Sequence, residues 1–152
     1  MDIGELLPHR ASARMLERVI EWNEEFIRVA TATHRAEHNP LRRAGRLAAA
    51  HLVEYGAQAM ALHGALKSRA EGSLAPSALL VAARDFRASR EFIDDLTGDL
   101  ELVARKLLAT PASFQYAFDV FHQGERIAGG RVAAIVYPLP APGAAAGNSS
   151  AG

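Results

Sequence analysis

Two side chains in this chain sit where acid–base chemistry would need them. Glu54 is the one acid between Glu37 and Glu71, inside the alanine-rich run LAAAHLVEYGAQAMALHGALK of Leu47–Lys67. A carboxylate there has two readings. It can share a narrow solvent-facing stripe with His51 three residues before and Gln58 four residues after. Alternatively, it can be held as a neutral acid able to give up a proton near neutral pH, because burying an unpaired carboxylate is costly. His38 lies in the segment before that run, next to Asn39-Pro40. It is either a solvated loop histidine or a general base, since imidazole titrates near neutrality. Glu54 follows His38 by sixteen residues. That is too far for one helical face, so only tertiary or inter-chain contact can bring the two together.

Other chemistries are poorly served. His34 and His38 have the i,i+4 spacing that holds a metal on a helix. Their segment runs into Asn-Pro, however, and no third ligand follows at a recognised spacing, so no metal and no cofactor are expected. The chain has no cysteine, which removes thiol catalysis and Cys-based zinc sites. Neither a GxSxG elbow nor a phosphate-cradling glycine loop occurs. Seventeen basic residues balance seventeen acidic ones, which argues against a general nucleic-acid coat. Arg35, Arg42, Arg43 and Arg46 do cluster before the long apolar run. They read either as a solvated loop or as a docking patch for an anionic partner. Without interleaved aromatics for base stacking, nucleic acid is not the expected partner.

The elements that must position these residues can be read from periodicity. Leu47–Lys67 predicts a helix that is apolar around nearly its whole circumference, the mark of a helix wrapped by other elements. Gly56 and Gly64 would weaken it unless they permit close backbone approach. Ile3 to Leu7 predicts a short helical turn stopped by Pro8. Arg14 to Trp22 and Glu25 to Thr33 predict a β-hairpin around Asn23-Glu24, and Thr33 to Arg46 a loop. Further strands are expected at Ser77 to Ser89, Gly98 to Leu108, Ser113 to His122 and Glu125 to Tyr137, with a tight turn at Gln123-Gly124. Strands, one segregated helix, then more strands argue an α+β domain with an antiparallel sheet. The expected domain is 1–137. From 138 to 152 the chain is Pro, Gly, Ala, Ser, Asn and Leu, too poor in apolar surface to order, and a disordered tail is expected. The run from Leu47 to Leu66 is a poor membrane span because it contains Glu54, His51, His63 and Gln58. With no basic-then-apolar signal at the start, a cytoplasmic protein is expected.

The motifs together resemble a known family. Leu7-Pro8-His9-Arg10 followed by Glu17-Arg18-Val19, His38-Asn39-Pro40, and Glu54 followed by Gln58 are similar to the 3-hydroxyacyl-[acyl-carrier-protein] dehydratases of fatty acid synthesis. In that family a Leu-Pro-His-Arg stretch leads to Asp-Arg-Val, and Glu17 takes the Asp position. Asn39-Pro40-Leu41-Arg42-Arg43 and the Glu54-Tyr55-x-Ala-Gln-Ala-Met-Ala-x-His-Gly pattern resemble more closely the hotdog dehydratase-like proteins of aryl polyene pigment clusters. The resemblance implies a hotdog fold, an antiparallel sheet around one long helix. It implies an acyl carrier protein as the substrate's carrier, and a homodimer or heterodimer whose sites take His from one subunit and Glu from the other.

The resemblance further implies roles. His38 would be the general base and Glu54 the general acid. Backbone N–H groups at Ala49 and Ala50 would hold the thioester oxygen, and Gln58 would orient Glu54 or line the pocket. The carrier's phosphopantetheine arm would enter beside the arginine loop. The spacing from His38 to Glu54 is longer than the family's, and Ala48-Ala49 replace its Pro-Gly. The alternatives are a non-catalytic partner subunit of a hotdog heterodimer, motivated by those departures, and an acyl thioesterase on the same fold.

Overall fold

A computed structural model describes residues 14–73 and 78–136. The N-terminal helical turn, the Leu7-Pro8-His9-Arg10 stretch and the 138–152 tail lie outside the described residues. The sheet has six strands: β1 (Arg18–Trp22), β2 (Phe26–Thr31), β3 (Ala78–Ala88), β4 (Leu100–Ala109), β5 (Ser113–His122) and β6 (Glu125–Val136). Their order across the sheet is β1-β2-β4-β5-β6-β3, and every neighbouring pair is antiparallel. The helix α1 (Leu52–Ala70) lies against one face of this sheet. This is the α+β hotdog arrangement expected from the motifs.

Alternation along the strands builds the core. Leu100, Leu102 and Ala104 of β4, Tyr116, Phe118 and Val120 of β5, and Ile27 and Val29 of β2 are all buried. They meet Leu52, Tyr55, Ala59, Leu62 and Leu66 of α1 in one cluster. Gly56 makes the closest approach: a Cβ there would lie 2.7 Å from the Phe118 ring, so the helix can sit this deep only with glycine. At Gly64 a Cβ would meet nothing within 4 Å, so close packing does not account for that glycine. Phe118 in turn stacks on Phe86 at 6.3 Å between centroids. β5 and β6 join through Gln123 and Gly124, both at positive φ, the two-residue hairpin expected there.

Two expected starts move. β1 starts at Arg18 rather than Arg14, and both Met15 and Leu16 are buried. The reason is that Met15 is satisfied by side chains instead of a neighbouring strand. Its N–H donates to Gln58 Oε1 at 2.7 Å, and its carbonyl accepts the Thr31 and Thr33 hydroxyls at 2.5 and 2.6 Å. The helix begins with a 3-10 turn at Ala49–His51, not at Leu47. The backbone just before it is taken up by the β3–β4 connection, through an isolated bridge between Ala48 and Phe92. The segment Thr33 to Arg46 is a loop containing a 3-10 turn at Thr33–Arg35 and a tight turn, with Ala44 and Gly45 at positive φ, that pairs Arg43 with Arg46.

α1 is not covered all round by its own chain. Glu54 and Ala61 are exposed, with Ala57 and Gly64 half-buried on the same side. Among the described residues no helix is long and apolar enough to cross a membrane.

Candidate active site

Two segments converge at the start of α1. The first carries His38. His38 itself is exposed, but the next residue, Asn39, is buried at 6% exposure. The Asn39 side chain organises the turn. Its Oδ1 accepts the Leu41 N–H at 2.8 Å, and its Nδ2 donates to the Thr33 carbonyl at 2.9 Å and to the Tyr55 hydroxyl at 3.2 Å. The second segment is the helix start with Glu54, which is exposed, followed by fully buried Tyr55. The Tyr55 hydroxyl also lies 3.0 Å from the Thr33 hydroxyl. Burial raises the Tyr55 phenol above its ordinary range, although its bonds to Thr33 and Asn39 pull the other way. The hydroxyl therefore stays protonated and acts as a fixed hydrogen-bonding post. The His38 loop and the Glu54 helix of one chain are thus joined through their adjacent residues, while the His38 and Glu54 side chains face solvent.

Gln58 faces the N-terminal segment through its bond from the Met15 N–H. The Ala49 N–H donates to the Glu91 carbonyl at 2.7 Å. This corrects the expectation that both Ala49 and Ala50 offer a free backbone donor: the β3–β4 connection uses the first, and the candidate donor at the helix start is the Ala50 N–H.

That connection is latched tightly. Asp94 accepts the Leu47 N–H at 3.0 Å and pairs with Arg46 Nε at 3.0 and 3.1 Å, while the Ile93 N–H donates to the Leu47 carbonyl. Desolvation pushes the Asp94 carboxyl up, but the Leu47 N–H and Arg46 outweigh it and hold it below the usual range. Arg46 also lies 4.2 Å over the Phe92 ring.

The arginine cluster is largely committed within its own loop, although Arg35, Arg43 and Arg46 remain exposed. Arg42 donates to the carbonyls of Ala36, Gly45 and Arg35, and Arg43 to those of Pro40 and Arg42. Arg46 is committed to Asp94. Three of the four guanidinium groups staple the loop, which leaves Arg35. No sequence pattern marks a staple, because loop carbonyls carry no side-chain signature.

His34 and His38 do not form a pair. His34 is fully buried and its Nε2 lies 2.9 Å from the Leu96 carbonyl, to which it donates. Burial lowers its pKa. Among the described residues no group of three or more His, Asp or Glu could hold a metal ion. His63 is likewise structural. Its Nε2 donates to the Asn23 carbonyl at 2.7 Å and its Nδ1 accepts from the Tyr116 hydroxyl at 2.5 Å. Asn39, Tyr55 and Asp94 are the positioning residues that sequence reasoning missed. The first two could have been suspected because they sit inside the matched motifs, one residue after His38 and one after Glu54.

A family model, described as ApeP dehydratase, matches residues 1–141. The chain belongs to the ApeP-like dehydratase family. ApeP-like proteins are hydro-lyases of the aryl polyene type, as the motif resemblance implied. Among solved structures the chain is similar to the dehydratase heterocomplex ApeI:P from Xenorhabdus doucetiae, with a TM-score of 0.82 at 18% identity over 90% of this chain and 91% of that one. It shares the fold at TM-score 0.56 and 16% identity with the E. coli PaaI protein from the phenylacetic acid degradation operon, over 78% of this chain and 81% of that one. A hypothetical thioesterase with coenzyme A from Streptococcus pneumoniae matches at TM-score 0.54 and 13% identity, over 78% and 84%. No curated protein sequence matches the chain. At 13% and 16% identity, these two likenesses show the fold alone.

Proposed function

We propose that this chain dehydrates 3-hydroxyacyl thioesters delivered by an acyl carrier protein, using His38 as general base and Glu54 as general acid. His38 takes a proton from C2 of the acyl chain. The electrons form the C2–C3 double bond as the C3–O bond breaks, and the hydroxyl leaves as water with the proton from Glu54. The Ala50 N–H, in the first helical turn where such groups lack an intrahelical acceptor, steadies the enolate-like thioester oxygen.

The observation that carries this reading is the Asn39–Tyr55 bond, which fixes the His38 loop against the start of the Glu54 helix. Glu54 lies on the side of α1 left open by its own sheet. A second chain laid over that side would take Glu54 out of water, the condition that favours a neutral, proton-donating acid. The heterocomplex named for the Xenorhabdus doucetiae structure supports a second hotdog protein as that chain. The functional unit is then a homodimer or heterodimer, and the cytoplasm is its place of work.

The test is enoyl-thioester absorbance with a carrier-bound 3-hydroxyacyl substrate, on the protein alone and with a hotdog partner. His38→Ala and Glu54→Gln should each cost about 10²–10⁴-fold in rate with the fold intact. Unchanged rates in both variants with the partner present would make this chain the silent half of a heterodimer. Free acid as the only product would make it a thioesterase.

A further inference from the structure

The face of the sheet turned away from α1 carries a line of arginines. Arg84 of β3 is the register partner of Arg131 of β6, Arg131 of Ala117 in β5, and Ala117 of Arg105 in β4. Directly opposite residues share a face. This row points outward, since its chain neighbours Val132, Tyr116, Phe118 and Ala104 are buried while the three arginines are exposed. At a strand spacing of about 5 Å, Arg84 and Arg131 are immediate neighbours and Arg105 lies about 10 Å beyond. Arg87, also exposed, belongs to the adjacent row with Gly129 and Asp119.

Like charges directly opposite one another on a sheet are destabilising, so this arrangement calls for a compensating partner. The described residues supply none. Among the described residues, Arg84, Arg87, Arg105 and Arg131 make no ion pair, whereas Asp119 is engaged by Arg126 at 2.6 Å. Asp85, beside Arg84 in the β3 bulge, pairs with none of them. Along the same face the next rows carry exposed Leu108 and Ile135, at 47% and 36%, beside the polar Gln115 and Ser113. The surface thus combines unpaired guanidinium groups with a partly apolar margin, which fits an acidic amphipathic helix.

The position of the patch matters for the site. Arg87 is four residues before Glu91, whose carbonyl holds the Ala49 N–H at the helix start, a span of at most about 14 Å. We infer that the Arg84, Arg87, Arg105 and Arg131 face docks the acidic surface of the carrier protein that brings the thioester. This rests on the carrier-dependent reading above. It moves the docking charge from the Arg42–Arg46 loop, where it is spent on staples, to the sheet.

The experiment measures binding of holo-acyl carrier protein at low and high salt. It also measures KM for a carrier-bound substrate beside a small N-acetylcysteamine 3-hydroxyacyl thioester, which has no protein surface. The protein is used with its hotdog partner where activity requires one. Arg84→Glu/Arg131→Glu should weaken carrier binding and raise the carrier-substrate KM by about tenfold or more, while kcat/KM on the small thioester holds. Arg69→Glu, the same charge change as either single substitution but at the far end of α1, should leave both within about twofold. Arg131→Glu alone replaces a like pair by an opposite one, so it should raise Tm while weakening carrier binding. Carrier binding that is unaffected by these changes, or wild-type binding that is insensitive to salt, overturns the proposal. So does binding of anionic vesicles or RNA that depends on these arginines while carrier binding does not. If the wild type turns over neither substrate, the dehydratase reading fails while the binding arm still decides the docking face.

Discussion

The Asn39 carboxamide donates to the Tyr55 hydroxyl at 3.2 Å, so the residue after the candidate base is bonded to the residue after the candidate acid. The bond is buried, and Thr33 belongs to the same cluster through its carbonyl and its hydroxyl. Neither Asn39 nor Tyr55 faces solvent, and neither needs to touch substrate. Their effect is to set where the His38 loop stands relative to α1.

Tyr55→Phe should therefore do two things. Leaving buried donors and acceptors of Asn39 and Thr33 short of a partner should cost about 1–3 kcal/mol, read by denaturant unfolding. Loosening the His38 loop should lower kcat by about 10–10²-fold with a smaller change in KM. Asn39→Ala should behave alike, and the double variant should be little worse than either single one. Additive losses would show that the two side chains act separately.

Stability should fall as pH drops below the ordinary histidine value of 6.5, because burial lowers the pKa values of both His34 and His63. The sign follows from linkage. The unfolded chain binds protons on these rings at a pH where the folded chain does not, so the stability present above 6.5 is lost as the pH falls toward the lowered values. Melting temperatures between pH 7.5 and 5.5 test this. In His63→Gln, an amide can still accept from Tyr116 and donate to Asn23, so the slope should shrink while the fold persists. His63→Ala should destabilise the protein and affect the chemical step far less than His38→Ala does. His51→Ala should also matter far less than His38→Ala.

The two helical glycines should part company. Gly56→Ala places a methyl 2.7 Å from the Phe118 ring and should destabilise by about 1–3 kcal/mol. Gly64→Ala meets nothing within 4 Å and should gain up to about 1 kcal/mol of helix propensity in the isolated chain. Thermal melts of the two variants beside the wild type read both outcomes.

Much of the fold was legible because it is written in periodicity. The strands Ser113–His122 and Glu125–Val136 and their tight turn follow from alternation and from Gln123-Gly124. Elements went astray where side chains replaced backbone partners. Met15 looked like strand because nothing local reveals that Gln58, Thr31 and Thr33 satisfy it. Arg42 and Arg43 looked like uncommitted charge because their acceptors are carbonyls assembled only when the loop closes. His38 and Glu54 stood out as residue types in a pattern. What joins their segments, the Asn39–Tyr55 bond, is a matter of burial and distance between positions sixteen apart in the chain.

The latch between Leu47 and Asp94 spans 47 residues, and it has a bearing on how the protein is made. On the ribosome the helix start emerges well before the β3–β4 connection that caps it. Until Asp94 is available, the Leu47 N–H lacks its carboxylate and Arg46 its counter-ion, and closing so long a loop carries an entropic cost. α1 can form early from local contacts, whereas the Ala49–Glu91 and Leu47–Asp94 links wait for sheet pairing distant in sequence. The interior of the nascent helix can thus form before its first turn is tethered, and the end that carries the candidate chemistry waits on a contact made 47 residues later.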